Sequence, residues 1–137
     1  MSGEEGLKVL EKLNPVSCQI VRDSCQSGAQ LEVTEDTALA EESMDWERHL
    51  LVGFMSQKVA KMVANFFDKA SKKRYEYIAQ KIDETLKDKA AAVLFIREGH
   101  RLQFPKDIEV FMVAPPALDD IHRWLRDSSS TDTPTDK

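Results

Sequence analysis

The sequence predicts an α/β (α+β) fold, in which a small parallel sheet of two to three strands packs against four to six helices, one of them long and central. From Asp45 to about Lys87, apolar residues recur every three or four positions, a spacing typical of a helix with a wide apolar face. The runs Ala91–Ile96 and Ile108–Val113 are short and rich in β-branched and aromatic residues, as in strands buried on both faces. Together these patterns favour one helical half and one small sheet.

Two helices are predicted near the N-terminus. A residue that precedes proline disfavours helical backbone, so the helix over Leu7–Leu13 is expected to end at Asn14. Asn14 is a good N-cap for a second helix with Pro15 in its first turn, and Gly28 supplies a left-handed stop.

Local signals predict the remaining elements. Gln30–Val33 has the composition of a short strand, and Thr34, which precedes two acids, is a candidate N-cap. Ala117–Arg126 is predicted as the last helix, because acids near its start and arginines at its end complement the helix dipole. A chain of 137 residues supports one core, so we expect a single domain over 1–127 and a disordered Ser/Thr/Asp tail over 128–137.

Composition excludes several classes of protein. No apolar run approaches the roughly 20 residues that span a bilayer, and Met1–Gly6 carries acids where a secretory signal or transit peptide carries bases. We therefore expect a cytoplasmic protein with no membrane partner.

Cys18 and Cys25 lie two turns apart on one predicted helix, and a rise of about 10 Å excludes a disulfide between them.

The loop over residues 97–101 is the candidate site. It follows a predicted buried strand, and ligands of open α/β sheets bind beyond the carboxyl ends of strands. Glu98 and His100 are candidates for a catalytic general base, or for two ligands of a divalent metal. A complete metal site needs another donor, and the available donors are Glu35, Asp36 and His49. A metal-dependent hydrolase or metal-binding protein is therefore one alternative.

A basic cluster suggests a second alternative, nucleic-acid binding. Residues 51–89 hold nine bases and five acids, whereas residues 1–50 hold eleven acids and four bases. The segment over residues 69–77 combines cations for phosphates with rings for bases, namely Lys69, Lys72, Lys73, Arg74, Tyr75 and Tyr77. A solvated helix face is the competing interpretation, and an acidic chain repels polyanions elsewhere.

The leading hypothesis is a non-catalytic interaction or regulatory module that self-associates or binds a second chain. The predicted sheet and the broad apolar helix leave more hydrophobic surface than a chain of this size covers. The residues expected at the interface are Trp46, Leu50, Phe54, Phe66 and Phe67.

The stretches VLFIREGH over Val93–His100 and FPKDIEV over Phe104–Val110 resemble a family of uncharacterised prokaryotic proteins. RYEYIAQKIDETL over Arg74–Leu86 and the segment from Gly28 to Asp36 match it as well. The predicted strand of VLFIREGH, the turn after it and His100 together are distantly similar to a pattern in TraB and erythromycin-esterase-like proteins. Among the family's functional residues, the resemblance extends only to His100. Arg97 and Glu98 stand where the family has small residues before the histidine, and the family's N-terminal histidine motif has no counterpart here.

Overall fold

The computed structural model describes residues 3–87 and 90–129. The regular elements of these residues are five α-helices: α1 (Gly3–Leu13), α2 (Pro15–Gln26), α3 (Thr37–Val52), α4 (Gln57–Thr85) and α5 (Pro116–Ser129). The chain divides into two compact units, Met1–Pro105 with α1 to α4 and Lys106–Lys137 with α5. The single domain over 1–127 stays a prediction.

The prediction of an α/β fold with a sheet is wrong. The described residues are helical or irregular, and the segments over 30–33, 91–96 and 108–113 form no strand. A strand requires a neighbour that completes its backbone hydrogen bonds, and composition alone does not supply one. In the segment 91–96, Leu94 and Ile96 are half-buried while Val93 and Phe95 are exposed. Residues 91–96 therefore form an irregular apolar segment in which two alternate side chains are partly buried.

The signals at the junction of α1 and α2 are confirmed. The Asn14 side chain accepts a hydrogen bond from the Ser17 backbone N–H at 3.0 Å, and Pro15 opens α2. Gly28 has φ +99° just beyond the end of the helix, in the left-handed region that glycine adopts without strain. Cys18 is buried between the two helices, where its thiol lies 3.6 Å from the Leu7 carbonyl oxygen.

The apolar pattern after Asp45 is divided between two helices and is not one continuous helix. α3 ends at Val52, and Gly53 adopts φ +78°, which breaks the helical path. The Ser56 hydroxyl then caps α4 by accepting from the Val59 N–H at 3.4 Å. α3 and α4 pack as an antiparallel helical hairpin. Periodicity alone missed this break, because the apolar spacing continues across it.

The buried core of the first unit lies mainly along α4, which is helical without interruption through the polar stretch near residue 70. Its buried residues are Val63, Ala70, Ser71, Ile78 and Ile82. Leu102 is also buried, so the segment that follows α4 returns to cover part of the core. This small core positions the loop over residues 97–101.

The second unit contains α5. The helix includes Ser128 and Ser129, which were expected to begin the disordered tail, and residues 130–137 lie outside the described chain. No residue of α5 is buried.

Candidate interaction surfaces

The loop over residues 97–101 is held against the α3–α4 hairpin by two arginines. Arg97 donates to both carboxylate oxygens of Glu47 on α3, at 3.0 and 3.1 Å. Arg101 donates to Asp68 on α4 at 3.1 Å. The hydrogen bond to Glu47 raises the pKa of Arg97. The arginines of the predicted site therefore attach the loop to the hairpin.

His100 has local partners. Its Nδ1 accepts a hydrogen bond from the Leu102 backbone N–H at 3.3 Å, and its ring lies edge-on to Phe104 with centroids 6.2 Å apart. The side chain is half-buried, whereas Glu98 is exposed. These contacts give His100 a structural role in shaping the loop.

The other predicted metal donors each have a structural role. Asp36 caps α3 by accepting from the Leu39 N–H at 2.9 Å, and Glu35 accepts hydrogen bonds from Arg74. His49 is exposed, with Nδ1 2.7 Å from its own helix's Asp45 carbonyl oxygen. Within residues 3–87 and 90–129, no three His, Cys, Asp or Glu side chains lie close enough together to hold a metal ion. The described residues thus offer no donor set for the metal alternative.

Arg74 joins three parts of the first unit. Its guanidinium donates through Nε and Nη2 to the Glu35 carboxylate and through Nη1 to the Ser43 hydroxyl at 3.2 Å. The hydrogen bond to Glu35 raises the pKa of Arg74 against the opposing effect of burial. The arginine side chain is only 17% exposed. This residue, which sequence reasoning assigned to phosphate binding, is committed to holding the segment before α3 against α4.

Three further members of the basic cluster, Lys72, Tyr75 and Tyr77, make intramolecular contacts. Lys72 lies 3.8 Å from Glu76 one turn along α4, and the Arg74 guanidinium lies 6.0 Å from the centroid of the half-buried Tyr75 ring. Lys81 lies over the Tyr77 ring at 5.5 Å. Nucleic-acid binding through residues 69–77 stays a prediction.

Two residues of the predicted interface pack against each other inside the hairpin. The rings of Trp46 on α3 and Phe66 on α4 are stacked, with centroids 4.9 Å apart and an interplanar angle of 20°. Leu50 and Phe67 are half-buried, and Phe54 is exposed. Packing between α3 and α4 therefore accounts for part of the apolar pattern from which the interface was predicted.

Two shallow clefts mark the surface of the first unit. One is lined by Ile20, Asp23, Ser24, Ser27 and Ala29. The other is lined by Leu31, Glu32, Val33, Lys81, Glu84 and Thr85. Neither contains a residue of the predicted site.

An exposed apolar turn joins α3 to α4. We call residues 51–55 the hairpin tip. Leu51 is 83% exposed, Val52 82% and Met55 fully exposed. The predicted interface included Phe54 of the tip, but sequence reasoning missed the turn itself because it placed residues 51–55 inside one helix. The signal that could have found it is Gly53, a strong helix terminator within an apolar run.

α5 presents a second uncovered apolar surface. At the angular spacing of 100° per residue, its large apolar side chains lie within about one third of the helix circumference and its charged side chains lie on the opposite side. We call the apolar side the α5 face. Its large exposed side chains are Ile121, Trp124 and Leu125. In the segment before α5, Phe111, Met112 and Val113 are each at least 75% exposed.

No family model, curated protein or solved structure matches this chain. The resemblance to the prokaryotic family with the VLFIREGH pattern therefore stays a prediction. None of the helices in residues 3–87 and 90–129 has the length and apolar character that a bilayer crossing requires.

Proposed function

We propose that the chain is a non-catalytic interaction module that self-associates through the α5 face. The observation that carries this proposal is a sharply amphipathic helix of 14 residues with no buried side chain. An isolated helix of that length is marginally stable in water, and most helices in proteins gain their stability by packing an apolar face. α5 therefore needs a surface to cover it.

A second copy of α5 fits that requirement. The same face on both copies is self-complementary about a two-fold axis. The polar side of the helix carries both signs of charge, namely Asp119, Asp120, Arg123, Arg126 and Asp127. Because these charges nearly cancel, two copies approach without strong repulsion.

The segment before α5 extends the surface. Complete burial of one large apolar side chain contributes about 1.5–3 kcal/mol to the free energy of association. In a symmetric dimer, both copies of each residue of the face are buried. A stable interface buries about 800 Å² on each partner, more than one short helical stripe provides. The exposed Phe111, Met112 and Val113 supply further apolar area next to α5.

We place this module in the cytoplasm. The free thiols of Cys18 and Cys25 support this localisation, because a reducing compartment keeps cysteines unpaired.

Sedimentation equilibrium over a range of protein concentrations tests self-association. We expect the wild-type chain to dimerise and the Ile121→Asp variant to dissociate at least about 100-fold more readily, because each dimer loses two apolar contacts and buries two carboxylates. Trp124 fluorescence, recorded in a Trp46→Phe background, should shift to shorter wavelength as the dimer forms.

Arg123→Asn is the matched control, because it lowers the charge of α5 by the same one unit as Ile121→Asp and places a side chain of similar size on the opposite side of the helix, where Arg123 is 67% exposed. This variant should dimerise like the wild type. A wild-type monomer at every concentration, or equal effects of the two substitutions, would reject self-association through α5.

A further inference from the structure

The hairpin tip lies within a stretch of unusual composition for an acidic chain. Residues 48–67 contain Arg48, Lys58 and Lys61 but no acid, although the whole chain has a net charge of −5. Lys58 and Lys61 are exposed on the first turns of α4, directly after the tip. No described acid forms an ion pair with either lysine.

The acids that border this stretch are each paired with an arginine. Asp45 lies 3.4 Å from Arg48, and Glu47 accepts from Arg97 at 3.0 Å. At the other border, Asp68 accepts from Arg101. These pairs leave the two lysines as uncompensated charges beside the tip, so the local potential is positive.

Apolar exposure continues from the tip along α4. Met55, Val59 and Met62 recur at helical spacing, and the latter two are 45% and 49% exposed. The exposed apolar turn is followed by basic residues on α4. This combination matches the two contributions to interfacial membrane binding, which are burial of apolar area and attraction to anionic lipid.

A second copy does not suit this surface. In a symmetric contact through the tip, Lys58 and Lys61 of one copy would face the same cations of the other, and like charges at an interface oppose association. An anionic membrane surface instead attracts the lysines by its charge and buries the apolar turn between the helices in its lipid. The cytoplasmic leaflet of membranes carries such a negative surface potential.

We propose that the hairpin tip binds the surface of membranes that contain anionic lipid, with Leu51, Val52 and Met55 inserted among the headgroups and Lys58 and Lys61 against the phosphates. The expectation of no membrane partner came from the lack of a spanning segment, and a peripheral contact requires none. This inference uses only residues of the first unit and does not depend on α5.

The apolar part is tested by co-sedimentation of the full chain with vesicles of phosphatidylcholine and phosphatidylglycerol. Met55→Asp should weaken binding more than about tenfold, because it replaces an inserted apolar side chain with a carboxylate. Leu13→Asp is the matched control, since Leu13 on α1 is 79% exposed and lies outside the tip. It should bind like the wild type, and far-UV circular dichroism checks that both variants fold.

The charge part is tested with the double variant Lys58→Gln and Lys61→Gln. Each basic residue near an anionic surface contributes about a fivefold change in affinity, so the double variant should bind about 25-fold more weakly. The exposed Lys8 and Lys12 of α1 provide a control pair, and their replacement by glutamine should have little effect. Binding should also fall as salt is added and on vesicles of phosphatidylcholine alone.

The proposal is overturned if the wild type does not sediment with anionic vesicles at low salt, or if tip and control variants bind equally. An acidic protein as the true partner would appear as no vesicle binding together with tip-dependent retention on an immobilised acidic amphipathic peptide. Ile121→Asp should keep vesicle binding and Met55→Asp should keep the dimer, so the two proposals can fail separately.

Discussion

Arg74 on α4 holds the carboxylate of Glu35, 39 residues away in the sequence, with a guanidinium that also donates to the Ser43 hydroxyl. The three groups join the segment before α3 to the middle of both hairpin helices. Ser43 is 2% exposed and in turn donates to the Ala40 carbonyl oxygen at 3.1 Å.

Arg74→Lys should lower the free energy of unfolding by about 1–2 kcal/mol, measured by urea denaturation. Lysine keeps the charge but cannot present the forked set of donors that contacts Glu35 and Ser43 together. The expected loss is moderate because the Glu35 side chain is 40% exposed and water screens the pair. Arg48→Lys, at an exposed pair with Asp45, is the control and should cost little. Equal losses in the two variants would contradict a special role for Arg74.

Phe66→Ala should destabilise the hairpin by about 1–3 kcal/mol. The stacked contact with Trp46 is lost together with the buried part of the ring, and the 43% exposure of Phe66 limits the cost. The measurement is thermal unfolding followed by Trp46 fluorescence in a Trp124→Phe background. Phe111→Ala, at a ring that is 79% exposed, is the control. A native-state Trp46 spectrum unchanged by Phe66→Ala would argue against the stacked contact.

Gly53→Ala should destabilise the protein by about 1 kcal/mol, because the residue has φ +78° and a side chain is strained there even though the surrounding space is open. Gly6→Ala is the control with the opposite expected sign. Gly6 lies inside α1 with no atom near the added carbon, so alanine should stabilise by about 0.5–1 kcal/mol. Chemical denaturation measures both changes, and a stabilising Gly53→Ala would show that the left-handed turn is not required.

Lys81→Met should raise the pKa of Glu84. In the native chain, hydrogen bonds from Lys81 and Gln80 hold that pKa below its ordinary value of 4.5. A depressed carboxyl pKa contributes stability that is fully present above the unfolded value of about 4.5 and is lost as the pH falls from there through the lower folded pKa. Carbon-13 NMR of the glutamate carboxyls measures the shift.

Lys72→Met, which removes the cation beside Glu76, is the control for that titration. It should leave the Glu84 curve unchanged. If Lys81→Met also leaves the curve unchanged, the contact at 3.0 Å between Lys81 and Glu84 does not persist in solution.

The sequence alone was sufficient for features that depend on neighbouring residues. Asn14 and Pro15 determine how α2 begins. The Asn14 side chain accepts a hydrogen bond from a backbone N–H that has no partner within the helix, and Pro15 has no backbone N–H that needs one. Helical spacing also identified most of the residues of α3 and α4. These signals act within one or two turns, where chain position and spatial position nearly coincide.

Tertiary contacts decided the rest. The segments over 91–96 and 108–113 have strand-like composition, yet a sheet forms only where a second strand completes the backbone hydrogen bonds, and none does within the described residues. Arg74, which was expected to bind phosphates, and Arg97 in the candidate loop are each paired with an acid distant in the sequence. Sequence order does not reveal which charges meet, because ion pairing depends on the distance between groups after the helices have packed.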